Sequence, residues 1–296
     1  MIADFLRAIK PSTLIRQCGW TLCLLPFFTQ ANTNPDELWR YSCPLPTEIN
    51  NKPMVAIIID DLGYQMDAGR RLLAMDSELT FAIIPFTPYG TRLAELAELA
   101  HQHKREIMVH APMETLESRP WEPALRAEMD RDELITLSTK MLGAVPYASG
   151  LNNHGGSLLT QRQEHMNWLM DMLVEQQIYF IDSRTTADSV ASEIAWQTGV
   201  PQGARDIFLD NIRRPEAIRA QLKKAQSLAR KRGFAVAIGH PYPETLAVLE
   251  QQLPQLKVDG IQLVRVSTLL EAQQQQATIA QKTTHTELPT AYPAPK

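Results

Sequence analysis

Met54-Val55-Ala56-Ile57-Ile58-Ile59-Asp60-Asp61-Leu62-Gly63 decides how this chain is read. Six apolar residues, three of them consecutive isoleucines, run into two carboxylates and a turn glycine. The run is rich in β-branched residues and lacks polar alternation, so it suits a strand covered on both faces, as in a parallel sheet. Asp60 and Asp61 then stand where the strand leaves the sheet. In α/β proteins, chemistry collects at the C-terminal ends of strands. One aspartate there would do no more than cap the next helix. Two adjacent ones favour a metal or acid–base site.

Working outward, the same alternation recurs. Apolar runs place strands at 54–60, 79–84, 106–110, 149–153, 178–182, 206–209, 234–239 and 261–265, with 206–209 the weakest. Helical periodicity fills the gaps. Leu93, Leu96, Ala97 and Ala100 repeat at i, i+3, i+4 and i+7. Asp130 with Glu133, and Thr160 with Gln163, read as capping boxes. Pro215 and Pro243 open two more helices. Strict β-then-α alternation implies parallel strands with right-handed crossovers. Seven or eight units favour a distorted parallel (β/α) barrel over an open doubly wound sheet. No Gly-x-Gly-x-x-Gly follows the first strand, so nothing supports a dinucleotide site.

The ends of the 296-residue chain differ from this core. Residues 1–31 read as an export signal, with Arg7, Lys10 and Arg16 ahead of an apolar stretch from Cys18 to Phe28. Thr29-Gln30-Ala31 is its cleavage end, giving a periplasmic or secreted protein. The stretch is too short to span a bilayer and is broken by Pro26, so no stable membrane insertion is expected. Residues 32–52 read as a linker, 53–270 as the barrel domain, and 271–296 as a disordered tail rich in Gln, Thr and Pro. The formal charge is −4. Loss of residues 1–31 leaves 26 basic and 32 acidic residues, which argues against a nucleic-acid partner. Cys18 and Cys23 leave with the signal, so Cys43 has no internal partner and a cysteine-based metal site is excluded.

The residues ending the strands are the informative set. They are Asp60 and Asp61, then His110 followed by Glu114, then Asn153 and His154 before Gly155-Gly156-Ser157. Asp182 and Arg184, Asp210, and finally His240 follow. His101, His103 and His165 fall on helices and read as solvated faces. Three histidines and four aspartates converging on one mouth are hard to explain as packing. Asp and His without Cys suit a divalent metal, zinc first, with three protein ligands and an open position. A carboxylate to take a proton from water and a histidine to protonate a leaving group complete the parts for amide or ester hydrolysis.

These stretches together resemble the divergent polysaccharide deacetylases. The resemblance is carried by 58–63, His110-Ala111-Pro112-Met113-Glu114, 152–157, 180–185, 208–211 and Ile238-Gly239-His240-Pro241. It covers about 54–270. It implies a metal-dependent hydrolase of an envelope polysaccharide, such as a peptidoglycan-like glycan, that removes N- or O-acetyl groups. In better-known relatives the first Asp of the pair is the base and the second binds metal, which implies Asp60 and Asp61 here. Their two metal histidines are spaced i and i+4. This chain has His110, then Glu114, so His154 is preferred as the third ligand. The resemblance also implies His240 as the acid and Arg184 as the arginine that tunes the base. The His-to-Glu change keeps a second reading open, a sugar-binding or regulatory protein without turnover. A hydrolase of another bond, such as a phosphodiester, is a third. Metal binding is expected to weaken below the ordinary histidine pKa of about 6.5.

Overall fold

A computed structural model describes residues 52–88, 91–117 and 122–286. The predicted signal, all of the linker but Lys52, and the tail beyond Thr286 lie outside the described residues.

Strand β1 (Met54–Leu62) leads to helix α1 (Met66–Leu73), β2 (Leu79–Ile83), α2 (Thr91–Gln102) and β3 (Glu106–Met113). Then come α3 (Arg131–Ala144), β4 (Ala148–Gly155), α4 (Gln163–Gln176), β5 (Tyr179–Asp182) and α5 (Ala191–Thr198). Two short strands, β6 (Gln202–Ala204) and β7 (Ile207–Phe208), precede α6 (Pro215–Arg232) and β8 (Phe234–Gly239). The chain continues through α7 (Pro243–Val258), β9 (Gln262–Val264) and α8 (Val266–Thr286). The paired order is β6-β5-β4-β3-β2-β1-β8-β7, with β9 on the lower half of β1. Every pairing among the described strands is parallel. The sheet curls into a barrel whose edges, β6 and β7, do not pair. The expected parallel barrel is therefore present, with one extra strand. Three residues, Gln-Gly-Ala, are too short and too polar to read as a strand from sequence.

Strand alternation divides the core into two layers. Val55, Ile57 and Ile59 pack outward among residues of the surrounding helices. Met54, Ala56 and Ile58 face inward with Ala82, Met108, Ile181 and Ile238. Both faces of β1 are thus covered, which is why its sequence does not alternate. Continued by two, the inward face reaches Asp60 on β1, His110 on β3 and His240 just beyond β8.

The opposite end of the barrel is closed by α8. Val266, Leu269, Leu270 and Ala272 join the inner apolar layer. The helix thus runs through residues that composition alone assigned to a structureless tail; buried apolar positions fix its first turns, and glutamine is an adequate helix former. Buried Glu106 caps it. Its carboxylate accepts the Val266 amide at 2.7 Å, the Ser267 amide at 3.1 Å and the Thr80 hydroxyl at 2.8 Å. Glu106→Ala would strand these donors and is expected to cost about 2 kcal/mol, or ~4–8 °C in Tm. Calorimetry against wild type checks it; an unchanged Tm would contradict this role.

The Asp130–Glu133 capping box forms, with the Glu133 amide donating to Asp130 Oδ1 at 2.9 Å and the Asp130 amide to Glu133 Oε2 at 3.1 Å. The Thr160–Gln163 box does not. The Thr160 hydroxyl donates instead to the Gly156 carbonyl at 2.8 Å, and α4 starts after Arg162. His165 is not solvated either: it is buried beside Trp168. No helix among the described residues is long and apolar enough to cross a membrane.

Candidate metal centre and its surroundings

In a regular strand Asp60 and Asp61 would point to opposite faces. The β1–β2 register shifts between Ile59 and Leu62, and Asp61 has φ +56°. Such an irregularity re-aims side chains at a strand end. Aspartate tolerates the left-handed region better than most residues. Both carboxylates consequently serve the same mouth.

Parallel register supplies the rest. His110 lies opposite Asn152, and His154 is two residues further along β4 on the same face. Asp61 Oδ1 is 3.3 Å from His110 Nε2 and 3.0 Å from His154 Nδ1, and the two nitrogens are 3.1 Å apart. Donors 2.0–2.1 Å from a shared tetrahedral centre stand ~3.3 Å apart. Asp61 Oδ1 is also buried without a properly directed hydrogen bond, despite its two close nitrogens. The three atoms lie close enough together to share one centre. Their number, spacing and chemistry fit a divalent ion such as zinc. Glu114 is not part of this cluster. Its Oε2 accepts the Ala127 amide at 2.9 Å, which anchors the loop after β3.

Behind the triad, Asn152 Oδ1 meets His110 Nδ1 at 2.8 Å, and Asn152 Nδ2 donates to Asp60 Oδ1 at 2.8 Å. Asp60 Oδ2 is 3.6 Å from His110 Nε2. Burial pushes the Asp60 carboxyl above the ordinary carboxylate range, outweighing the pull of His110, His240 and Asn152. Asp61 goes the other way: burial raises it, but His110 and His154 hold it well below that range. His110 is pulled down by burial and lifted by Asp60 and Asp61, to about 9.

His240 faces this group from β8, with Nε2 3.8 Å from Asp61 Oδ2. Asp210 orients it. Asp210 Oδ1 meets His240 Nδ1 at 2.9 Å, while Oδ2 accepts the His240 amide at 2.6 Å and the Thr245 hydroxyl at 2.7 Å. Burial lowers the imidazole and Asp210 more than offsets it, so its pKa is raised. The ring lies between Phe208 and Tyr242, with centroids 5.3 and 5.4 Å away. Arg213 stacks on Tyr242 at 3.5 Å.

The remaining expected residues shape loops. Asn153 accepts the Ser183 amide at 2.8 Å and donates to the Gly155 carbonyl at 2.7 Å. Asp182 accepts the Arg184 amide and the Ser189 hydroxyl, each at 2.7 Å. Gly155 and Gly156 both have positive φ, and a Cβ on Gly155 would stand 2.7 Å from the Thr115 methyl. Arg184 does not take the base-tuning place. It occupies a turn with φ +47° and its side chain is exposed. The arginine that feels the charge of Asp60 is Arg205, which donates to the Ser183 carbonyl at 2.7 Å and the Arg184 carbonyl at 2.8 Å. Sequence reasoning missed Arg205, which directly follows the unread strand β6. It also passed over Asn152, although the two-residue period from His154 marks that position.

Comparisons with known proteins bear on the family and the fold. The family model described as divergent polysaccharide deacetylase matches residues 57–270. An uncharacterised protein of Escherichia coli K12, YibQ, is 39% identical over 221 residues, 74% of this chain and 68% of that one. An uncharacterised protein of Haemophilus influenzae is 38% identical over 216 residues, 73% of this chain and 76% of its own. The crystal structure of an uncharacterised protein from Agrobacterium tumefaciens C58 has the same fold, with TM-score 0.69 at 20% identity, covering 79% of this chain and 94% of that one.

Proposed function

The chain belongs to the divergent polysaccharide deacetylase family, and from that premise we propose that it is an exported, metal-dependent hydrolase that removes acetyl groups from an envelope glycan. The observation carrying this reading is the Asp61–His110–His154 triad, its three donor atoms 3.0–3.3 Å apart, flanked by Asp60 and His240.

A divalent ion held there would lower the pKa of a bound water toward ~7 and polarise a carbonyl oxygen. In this reading Asp60 takes the proton from the attacking water, and a raised pKa makes it a better base near neutrality. His240 Nε2 in turn gives a proton to the leaving amine, so that acetate and a free amino sugar result. Asp210 fixes the His240 tautomer, with Nδ1–H toward the carboxylate. Asp210→Asn removes the charge that raises the His240 pKa, so the alkaline limb of the pH–rate profile should move to lower pH. A limb that stays in place would exclude His240 as the titrating acid.

The alternative of a sugar-binding or regulatory protein without turnover rested on Glu114. His154 offers a third donor from β4, and this supports the hydrolase reading. Elemental analysis of untagged protein tests it: one divalent ion per chain is expected, and metal-free protein that takes up none would exclude it. Export is the other part of the proposal. The protein in the envelope fraction should begin near Asn32 by N-terminal sequencing; an intact Met1 on cytosolic protein would refute it.

A further inference from the structure

We propose that Asn152 is a positioning residue that serves both halves of the site at once: its carbonyl fixes the ring of the ligand His110, and its amide holds the base Asp60. This rests on the metal reading above. Asn152 is fully buried and lies directly opposite His110 in the β3–β4 register. The orientation of its amide follows from its neighbours. Its NH2 group donates to Asp60 Oδ1 at 2.8 Å, with Ser183 Oγ at 3.3 Å as its second contact. The carbonyl oxygen is thereby left toward His110 Nδ1 at 2.8 Å. It can only accept, so Nδ1 carries the hydrogen. The lone pair of a neutral His110 is then on Nε2, the atom that faces Asp61 and His154. One amide therefore sets which nitrogen of His110 is offered to the metal and where the base carboxylate sits. A ligating histidine tied by its other nitrogen is more basic and better oriented.

Two substitutions separate the two jobs. Asn152→Ala removes both bonds. It should weaken zinc affinity by about 10–100-fold in chelator competition. Asn152→Asp keeps an acceptor for His110 Nδ1–H but sets a second carboxylate oxygen against Asp60. It should retain zinc within about threefold and lower turnover by about 10–100-fold with KM unchanged. A merely structural Asn152 would lower Tm in both variants and leave the zinc affinity of the folded protein alone. Zinc-loaded wild type gives an independent readout. Long-range proton–nitrogen NMR should show His110 protonated on Nδ1 and bare on Nε2. His110 bound to zinc through Nδ1, or Asn152→Ala with wild-type affinity, would overturn the inference. The NMR result decides it even if neither variant folds. Wild-type protein that binds no zinc would overturn the metal reading, and this inference with it. Zinc-loaded wild type with unaffected variants would overturn the inference alone.

Discussion

Asp60→Asn and His240→Ala should each lower turnover of the metal-loaded protein by about 10²–10⁴-fold, the usual contribution of a positioned base or acid. Asp60 lies 3.6 Å from His110 Nε2 and is held by Asn152, while His240 Nε2 lies 3.8 Å from Asp61 Oδ2. Neither is in the donor triad, so the ion should stay bound in both variants. An amide nitrogen leaves poorly unless protonated, and His240 is the half-buried imidazole on the mouth with a carboxylate behind it. If these residues only stabilised their turns, the variants would melt earlier and turn over normally. Steady-state kinetics with metal content and Tm measured on the same samples separates the two outcomes.

The second large effect is on the metal. His110→Ala and His154→Ala should each abolish stoichiometric binding, whereas Glu114→Ala should leave it intact, because Glu114 is engaged with the Ala127 amide. The pH dependence differs from the expectation of weakening below about 6.5. His110 must be neutral to bind, and Asp60 and Asp61 raise its pKa to about 9. Below that value a proton has to leave on binding, so affinity should fall about tenfold per pH unit, or ~100-fold from pH 8 to pH 6, from this group alone. Competition titrations across this range check the slope. A flat profile down to pH 6.5 would show that the carboxylates do not hold the proton on His110.

Much of this site was legible because parallel strands end together. A list of strand-end residues is a list of rim residues, and His110, His154 and His240 emerge from it without knowledge of any contact. The preference for His154 over Glu114 needed only that two adjacent strands end side by side. What the sequence hid depends on direction and not on position. Asp60 and Asp61 share a mouth through a register shift and a positive φ that no residue pattern announces. Glu114 and Arg184 occupy suggestive places but turn to the Ala127 amide and to solvent. Arg205 follows a three-residue strand whose composition carries no β signal. The tail failed for another reason: Gln-rich composition says little about a helix nucleated by Val266, Leu269 and Leu270 against an existing core.

Release of acetate from an N-acetylated envelope glycan is the measurement closest to the central claim. Zinc-loaded wild-type protein is predicted to release it, to stop when the metal is chelated, and to resume when zinc is restored. Fully zinc-loaded, folded protein that releases no acetate from any such glycan would contradict the claim.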